Sequence, residues 1–253
     1  LLCDSFFYST FASAEHPPNL YIKEMKKLTL LLFMAIQTMT LLAQEKLVAL
    51  SFDDGPNTTT TVHMLDVLKK HGVKASFFVI GNNITEESAV VMKRAHDEGH
   101  EIENHSLTHS PMSQLTPDSI RKEIKTTSAL VEKYVGEAPV FFRPPYINVN
   151  QTLYDNVDLG FICGEGCEDW LDHVTAEQRV ERLTACARDG IIFLLHDFKG
   201  NEQTVAAVDQ LIPILQAKGF RFVTVRELFK AKGVKAQKNL IYSDVMHPEH
   251  RIQ

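Results

Sequence analysis

The chain has 253 residues, 44% of them hydrophobic and 23% charged, which is enough apolar mass for one sizeable core or at most two small ones. Its formal net charge is -6 at pH 7, and its lysines and arginines form no run that could follow a phosphate backbone. This composition argues against nucleic acid as a partner and favours a neutral or weakly charged substrate.

The N-terminal part of the sequence contains a predicted targeting segment. Met25 and two lysines precede an apolar stretch over residues 28–42, a pattern typical of a secretory signal peptide, which we assign to residues 25–43. The stretch is shorter than the about 20 residues that span a bilayer, so we expect no stable membrane span after cleavage. A leucine two places before Ala43 disfavours cleavage there, which leaves an uncleaved anchor as the alternative. Residues 1–24 are interpreted as a non-native upstream segment, and we expect export to the periplasm, cell envelope or extracellular space.

Apolar runs of strand length recur along the rest of the chain, and several are apolar at nearly every position, as strands covered on both faces are. Helical spacing occurs between them, and Thr116 followed by Pro117 and the capping-box pattern that begins at Thr175 are typical helix starts. Pro213 is expected to bend or shorten the last long helix. The predicted strands lie at 47–52, 75–80, 101–104, 140–142, 161–163, 191–195 and 220–225, and the predicted helices at 62–68, 90–95, 117–135, 175–187 and 205–215.

The regular alternation of strand and helix predicts a parallel sheet with helical crossovers, either closed as a barrel or open as a doubly wound sheet. No GxGxxG motif follows the first strand, which argues against a dinucleotide site. We expect a single catalytic domain over residues 44–231. Residues 232–253 are polar and aperiodic, and they are predicted to form a peripheral tail.

The cysteines beyond the targeting segment are odd in number and form no CxxC pair, which argues against a zinc finger. They are Cys163, Cys167 and Cys186. Buried, inert thiols are the favoured interpretation, and a disulfide between Cys163 and Cys167 outside the cytosol stays open.

Unusual polar residues follow the carboxyl ends of five predicted strands. In barrels and open α/β sheets alike, that edge is where active sites are built, so these side chains are expected to converge. Taken singly, each also has a structural explanation, such as a turn, an ion pair or a core aromatic. The residues are Asp53 and Asp54, His105 and His109, Arg143, Asp169 and Trp170, and His196.

The spacing of His105 and His109 is typical of two imidazoles that share a metal, because residues four apart in a helical turn project from the same face. A lone HxxxH is weak evidence. The Asp53-Asp54 pair strengthens the prediction of a metal site, since two histidines and one carboxylate leave coordination positions open for water and substrate. The second carboxylate would then be available as a base.

Five segments, in this order, resemble the motifs of the polysaccharide deacetylase family, also called the NodB-homology group or carbohydrate esterase family 4. The resemblance extends from about Leu47 to about Phe229, nearly all of the expected mature chain. The segments are Ser51–Pro56, His105–His109, Arg143–Tyr146, Glu168–Trp170 and Leu194–Asp197.

The resemblance implies one divalent metal ion, with zinc expected first and cobalt or another divalent cation as alternatives. Asp54, His105 and His109 would hold it, and Asp53 would be the general base that activates water. It also implies a distorted (β/α) barrel of about seven parallel strands, in agreement with the strands predicted above.

Other roles are implied by the resemblance as well. Arg143 would orient Asp53, and Asp169 would in turn hold Arg143. The backbone N–H of Tyr146 would stabilise the oxyanion, and His196 would be the general acid. The walls of the pocket for the acetyl group and sugar would be Pro145, Tyr146, Trp170 and Leu194.

The expected activity is removal of acetyl groups from a polysaccharide partner, foremost N-deacetylation of N-acetylglucosamine or N-acetylmuramic acid units in peptidoglycan or chitin-like glycans. An O-acetyl xylan esterase and a metal- or glycan-binding pseudoenzyme are the alternatives. The fourth motif departs from the family pattern, which often has a further aspartate near its start, whereas this chain has the loop Cys163–Trp170.

Overall fold

The computed structural model describes residues 22–23, 25–31 and 45–252, which belong to two compact units divided after Gln44. In the first unit, residues 22–23 and 25–31 are helical and exposed. In the described ranges, no helix combines the length and the apolar character that a membrane crossing requires. The remainder of the predicted signal peptide and of the upstream segment lies outside the described residues.

The second unit is built on one sheet in which every pair of neighbouring strands is parallel. The strand order is β6-β7-β1-β2-β3-β4-β5-β9, and β8 also pairs with β1. All seven predicted strands are present, and the sheet curls into the expected distorted (β/α) barrel. The strands are β1 (Lys46–Asp53), β2 (Ser76–Val79), β3 (Glu101–Asn104), β4 (Phe141–Phe142), β5 (Gly160–Ile162), β6 (Glu165–Gly166), β7 (Ile192–His196), β8 (Phe220–Val223) and β9 (Ile241–Tyr242).

Two crossover helices begin at the caps that the sequence predicts, and those predicted from residues 62, 90 and 205 begin two to four residues earlier. The side chain of Thr116 accepts a hydrogen bond from the N–H of Ser119 at the start of the longest helix, and Thr175 forms a complete capping box. Pro213 does not shorten its helix, because it lies on the exposed side, where water can bond to the carbonyl that loses its partner. The helices are α1 (Thr60–His71), α2 (Glu86–Asp97), α3 (Pro117–Val135), α4 (Gln151–Asn156), α5 (Ala176–Cys186), α6 (Glu202–Ala217) and α7 (Val225–Ala231).

The central strand β1 is buried on both faces, because alternate side chains enter two different cores. Val48, Leu50 and Phe52 pack with apolar residues of α1, α2 and α6 on the outside of the sheet. Leu47 and Ala49 point to the opposite face and pack with inward residues of the other strands. Side chains therefore fill the barrel, and the polar groups of the site are confined to its carboxyl edge.

The polar C-terminal segment is not a peripheral tail, and that expectation is wrong. β9 pairs with β5, and the N–H groups of Ile192 and Val245 donate to the carbonyls of Ser243 and Gly190, each at 3.0 Å. The segment thus joins the β5 edge of the sheet to the β7 side and closes the barrel. A strand of only two residues among polar neighbours carries too little periodicity to be recognised in the sequence.

Because this segment closes the barrel, isoleucine-to-alanine substitutions at two of its positions are expected to lower the stability by unequal amounts. Ile241 is fully buried, whereas Ile252 is 52% exposed. We expect Ile241→Ala to lower the free energy of unfolding by about 2–5 kcal/mol through lost burial and an unfilled cavity. Ile252→Ala, the matched control, should change it by no more than about 0.5 kcal/mol. Denaturant unfolding followed by circular dichroism measures both, and equal effects would contradict the closing role.

Candidate functional site

The carboxyl ends of β1 and β7 place two of the predicted site residues side by side. Asp53 ends β1 and His196 ends β7, and the two are register partners on these adjacent parallel strands. β3 ends nearby at Asn104, directly before His105. The convergence expected from the sequence therefore occurs at one edge of the sheet.

Asp54, His105 and His109 form a compact group. Their ligand atoms all lie within 4.8 Å of one another, and Oδ1 of Asp54 is 3.5 Å from Nε2 of each histidine. Asp54 lies in the turn after β1 and has a positive φ of 74°. Its backbone carbonyl accepts a hydrogen bond from Nδ2 of Asn83 at 2.8 Å. The turn thus aims the carboxylate at the two imidazoles.

The imidazole of His105 has a defined orientation. Its Nδ1 lies 2.7 Å from the carbonyl oxygen of Arg143, and because a carbonyl only accepts, Nδ1 must donate. In the neutral ring, Nε2 then keeps its lone pair and faces Asp54. An outer hydrogen bond of this kind is typical of histidines that bind metals.

The His105–His109 segment is not the helical turn that the four-residue spacing suggested. Ser106 and His109 have positive φ values of 67° and 57°, so the segment is a loop. The N–H of Ser106 donates to Oδ1 of Asn104 at 2.8 Å, and the N–H of His109 donates to Oγ of Ser106 at 3.0 Å. The two rings still meet, with centroids 4.9 Å apart.

The donor set fits a divalent cation. Among the described residues, Oδ1 of Asp54 is a buried carboxylate oxygen without a hydrogen-bond partner. Burial would raise the pKa of this carboxyl, but the neighbouring imidazoles, that of His105 first, lower it. Burial and the charge of His105 lower the pKa of His109, which favours its neutral form. One carboxylate and two neutral imidazoles form a set typical of zinc and related metals.

Arg143 lies against Asp53. Its Nη1 donates to Oδ1 of Asp53 at 2.6 Å, its Nη2 donates to Oγ of Ser51 at 2.7 Å, and the ring of Phe78 lies 4.2 Å from its Cζ. Arg143 is fully buried and Asp53 is 2% exposed. The other carboxylate oxygen of Asp53 lies 3.7 Å from Nε2 of His105, next to the candidate metal ligands.

Asp169 holds His196, so the expectation that it holds Arg143 is wrong. Oδ1 of Asp169 lies 2.8 Å from Nδ1 of His196, and its Oδ2 accepts the N–H of His196 at 2.7 Å. Burial would lower the pKa of His196, but the hydrogen bond and charge of Asp169, with the charges of Asp53 and Asp54, raise it to about 9. The guanidinium of Arg143 donates its hydrogen bonds to Asp53 and Ser51 instead.

Two further buried residues support this edge, and neither was given a role from the sequence. Arg179 is 1% exposed, and its Nη1 donates to Asn201 and Thr204, each at 2.7 Å. Thr204 in turn donates to Oδ2 of Asp169 at 2.8 Å. The detectable signal was an arginine on the apolar stripe of α5, four residues before the buried Leu183.

Asp197, the last residue of the fifth motif, is the second of these. It is fully buried, it accepts a hydrogen bond from Oγ1 of Thr61 at 2.5 Å, and burial raises its pKa to about 7. Both of its carboxylate oxygens would lie 2.9 Å from a Cβ on Gly55, so only glycine fits at that position of the turn after Asp54. Its position directly after His196 was the feature of the sequence that could have indicated a role at this edge.

Apolar and aromatic side chains surround these groups. Tyr146 has a positive φ of 59°, directly after Pro145, and its ring centroid lies 4.8 Å from that of His109. The ring of Trp170 lies 5.6 Å from that of His196, and Leu194 and Trp170 both approach Gly166. Tyr146 and Trp170 are 65% and 49% exposed.

A groove of about 660 Å³ continues from the candidate metal ligands. Asp54 and His109 line one part of it, and Asn82, Phe198 and Lys199 line another. Its volume falls in the range of about 300–1,000 Å³ that is usual for ligand sites.

The comparisons with known proteins agree on one family. Residues 42–161 match the family model described as polysaccharide deacetylase. A bifunctional xylanase/deacetylase from Pseudobutyrivibrio xylanivorans is 47% identical over 190 residues, which cover 75% of this chain but only 31% of that relative. A peptidoglycan-N-acetylglucosamine deacetylase from Bacillus cereus is 35% identical over 196 residues, covering 74% of this chain and 90% of the relative.

A solved structure supports the same assignment. The family 4 acetyl xylan esterase from Clostridium thermocellum, in complex with a cobalt ion, has a TM-score of 0.77 at 44% identity, covering 79% of this chain and 99% of that one. With the fold and the edge residues described above, these likenesses lead to one conclusion: the chain belongs to the polysaccharide deacetylase family.

Proposed function

We propose that the protein is a divalent-metal-dependent hydrolase that removes acetyl groups from a polysaccharide outside the cytosol. One observation carries the proposal. Asp53 and His196, register partners at the ends of β1 and β7, lie at the same sheet edge as the compact group of Asp54, His105 and His109. A base and an acid beside a cation site are what hydrolysis of an amide or ester requires.

Asp54, His105 and His109 would hold the cation, for which zinc is the first candidate and cobalt the second. When bound, the cation supplies Lewis-acid chemistry: it makes a water molecule more acidic and polarises a carbonyl group.

Asp53 serves as the general base. The buried Arg143 pairs with this carboxylate and fixes one of its oxygens, while the other lies 3.7 Å from Nε2 of His105. That free oxygen accepts the proton of the attacking water. The backbone N–H of Tyr146 is proposed to donate a hydrogen bond to the oxyanion that then develops on the acetyl carbonyl.

His196 serves as the general acid. Asp169 occupies Nδ1, so the proton that leaves is on Nε2, and a pKa of about 9 keeps the imidazole protonated near neutral pH. It passes this proton to the sugar nitrogen or oxygen as the bond to the acetyl carbon breaks, and acetate is released. Pro145, Leu194, Tyr146 and Trp170 are proposed to enclose the acetyl methyl and the sugar ring.

The substrate is proposed to be an N-acetylated glycan of the peptidoglycan or chitin type. The Bacillus cereus relative, of which the chain covers 90%, is named for N-acetylglucosamine in peptidoglycan. A second candidate is O-acetylated xylan, which the higher identities of 47% and 44% to a xylanase/deacetylase and an acetyl xylan esterase favour. A binding pseudoenzyme would need neither Asp53 nor His196 in these positions.

Release of acetate from peptidoglycan, chitooligosaccharides and acetylated xylan, measured side by side, tests the proposal. Acetate from either of the first two at rates well above those from xylan supports N-deacetylation. Release from xylan alone supports the esterase. No release from any of the three, by protein loaded with zinc or cobalt, would refute hydrolysis.

Asp53→Asn is expected to keep the metal and to lose activity by about 100- to 10,000-fold, because the amide preserves the shape of the side chain but cannot accept the proton. Metal analysis and acetate release on the same preparation measure both properties. His105→Ala is the matched control and should lose the metal as well. Activity of Asp53→Asn within tenfold of the wild type would assign the base to another group.

Asp169→Asn is expected to lower the pKa of His196 from about 9 toward its ordinary 6.5, because the charge that opposes the effect of burial is removed. Titration of the imidazole signals by NMR in the metal-free protein measures the change. The exposed Asp172→Asn is the control and should leave the value unchanged. An unaltered pKa in Asp169→Asn would mean that the other carboxylates dominate.

His196→Ala is expected to reduce hydrolysis of an N-acetyl amide by about 100- to 10,000-fold and that of an activated aryl acetate by far less. An amine must be protonated as it leaves, whereas an aryl oxide needs little help. Steady-state rates on both substrates decide this. An equal loss on both would show that His196 supports the structure of the site or the nucleophile instead.

A further inference from the structure

One side chain outside the five motifs holds the loop that carries His105 and His109. The carboxylate of Glu123, on α3, accepts three hydrogen bonds from this loop. The N–H groups of Leu107 and Thr108 donate to Oε2 at 2.8 and 2.9 Å, and the hydroxyl of Thr108 donates to Oε1 at 2.9 Å. All three donors therefore lie between the two histidines.

Glu123 is itself firmly placed. It is 9% exposed and lies in the interior of the 19-residue helix α3. Ile120 and Ile124 on the same helix are buried in the core, and Nδ2 of Asn104 donates to the carbonyl of Ile124 at 2.9 Å. That last bond ties α3 to the end of β3. The carboxylate thus has a fixed position relative to the strand from which the loop departs.

The loop needs such support, because its backbone is strained. Ser106 and His109 have φ values of 67° and 57°, which residues with a Cβ rarely adopt and which persist only where surrounding contacts enforce them. A carboxylate suits the task because it offers only acceptors to the three donors. The amide of glutamine would turn its NH₂ group toward one of them.

We propose that Glu123 is a positioning residue for the cation: it fixes the loop so that Nε2 of His109 stays near Oδ1 of Asp54 before any metal binds. The inference rests on the metal site of the proposed function, but it concerns affinity for the cation rather than the reaction. Residues that orient metal ligands through hydrogen bonds typically contribute about 10- to 100-fold in metal affinity or activity.

The test is calorimetric titration of the metal-free protein with Zn²⁺ and, separately, Co²⁺. Glu123→Gln should raise the Kd by about 10- to 100-fold. Glu132→Gln, at an exposed position of the same helix, is the matched control and should leave the Kd unchanged. At saturating metal the kcat of Glu123→Gln should recover to within a few-fold of the wild type, because the bound cation then holds the loop.

Thr108→Val provides a second, milder variant, since it removes only the hydroxyl donor and should raise the Kd by less. A Kd for Glu123→Gln within twofold of the wild type overturns the inference. If circular dichroism shows that Glu123→Gln does not fold without metal, the Kd of Thr108→Val becomes the test. A Kd of Thr108→Val equal to that of the wild type then overturns the inference. Absence of metal binding by the wild type refutes the metal site of the proposed function itself, and the inference with it.

Discussion

The buried guanidinium of Arg143 is the group on which the arrangement of the site depends. A buried cation is costly unless a counter-charge is paired with it, and removing one member of such a pair typically costs about 3–5 kcal/mol. Asp53 supplies the charge, Ser51 accepts a second hydrogen bond, and Phe78 covers the guanidinium plane. The backbone carbonyl of Arg143 also orients His105. One residue therefore couples the proposed base to a proposed metal ligand.

The carboxylates of this edge differ in how their charge is balanced. Asp53 is paired with Arg143, and Asp169 is paired with His196. Asp197 and Asp54 each have a buried oxygen without a hydrogen-bond partner among the described residues. Burial raises the pKa of Asp197 to about 7, and its protonated form avoids the cost of a buried negative charge. The pKa of Asp54, in contrast, is lowered. Asp54 is thus the position where the proposed cation would supply the missing charge.

Local patterns in the sequence were sufficient for much of this structure. The middle of β1 is a run of apolar residues, and the capping box at Thr175 depends on neighbouring residues alone. The partner of Asp169 could not be predicted in the same way, because it depends on where two loops meet in space. The spacing of the two histidines suggested a helix, but positive φ values bring the rings together by another route. Glu123 left no local signal, since its partners lie in a different element.

The closure of the barrel by β9 has a consequence for the order of events during synthesis. β5 and β9 are parallel neighbours although about 80 residues separate them along the chain, so this pairing belongs to the slow, non-local contacts of the fold. Residues that fill the barrel, such as Tyr242 and Val245, are made after every other strand. The core cannot be completed until they have left the ribosome.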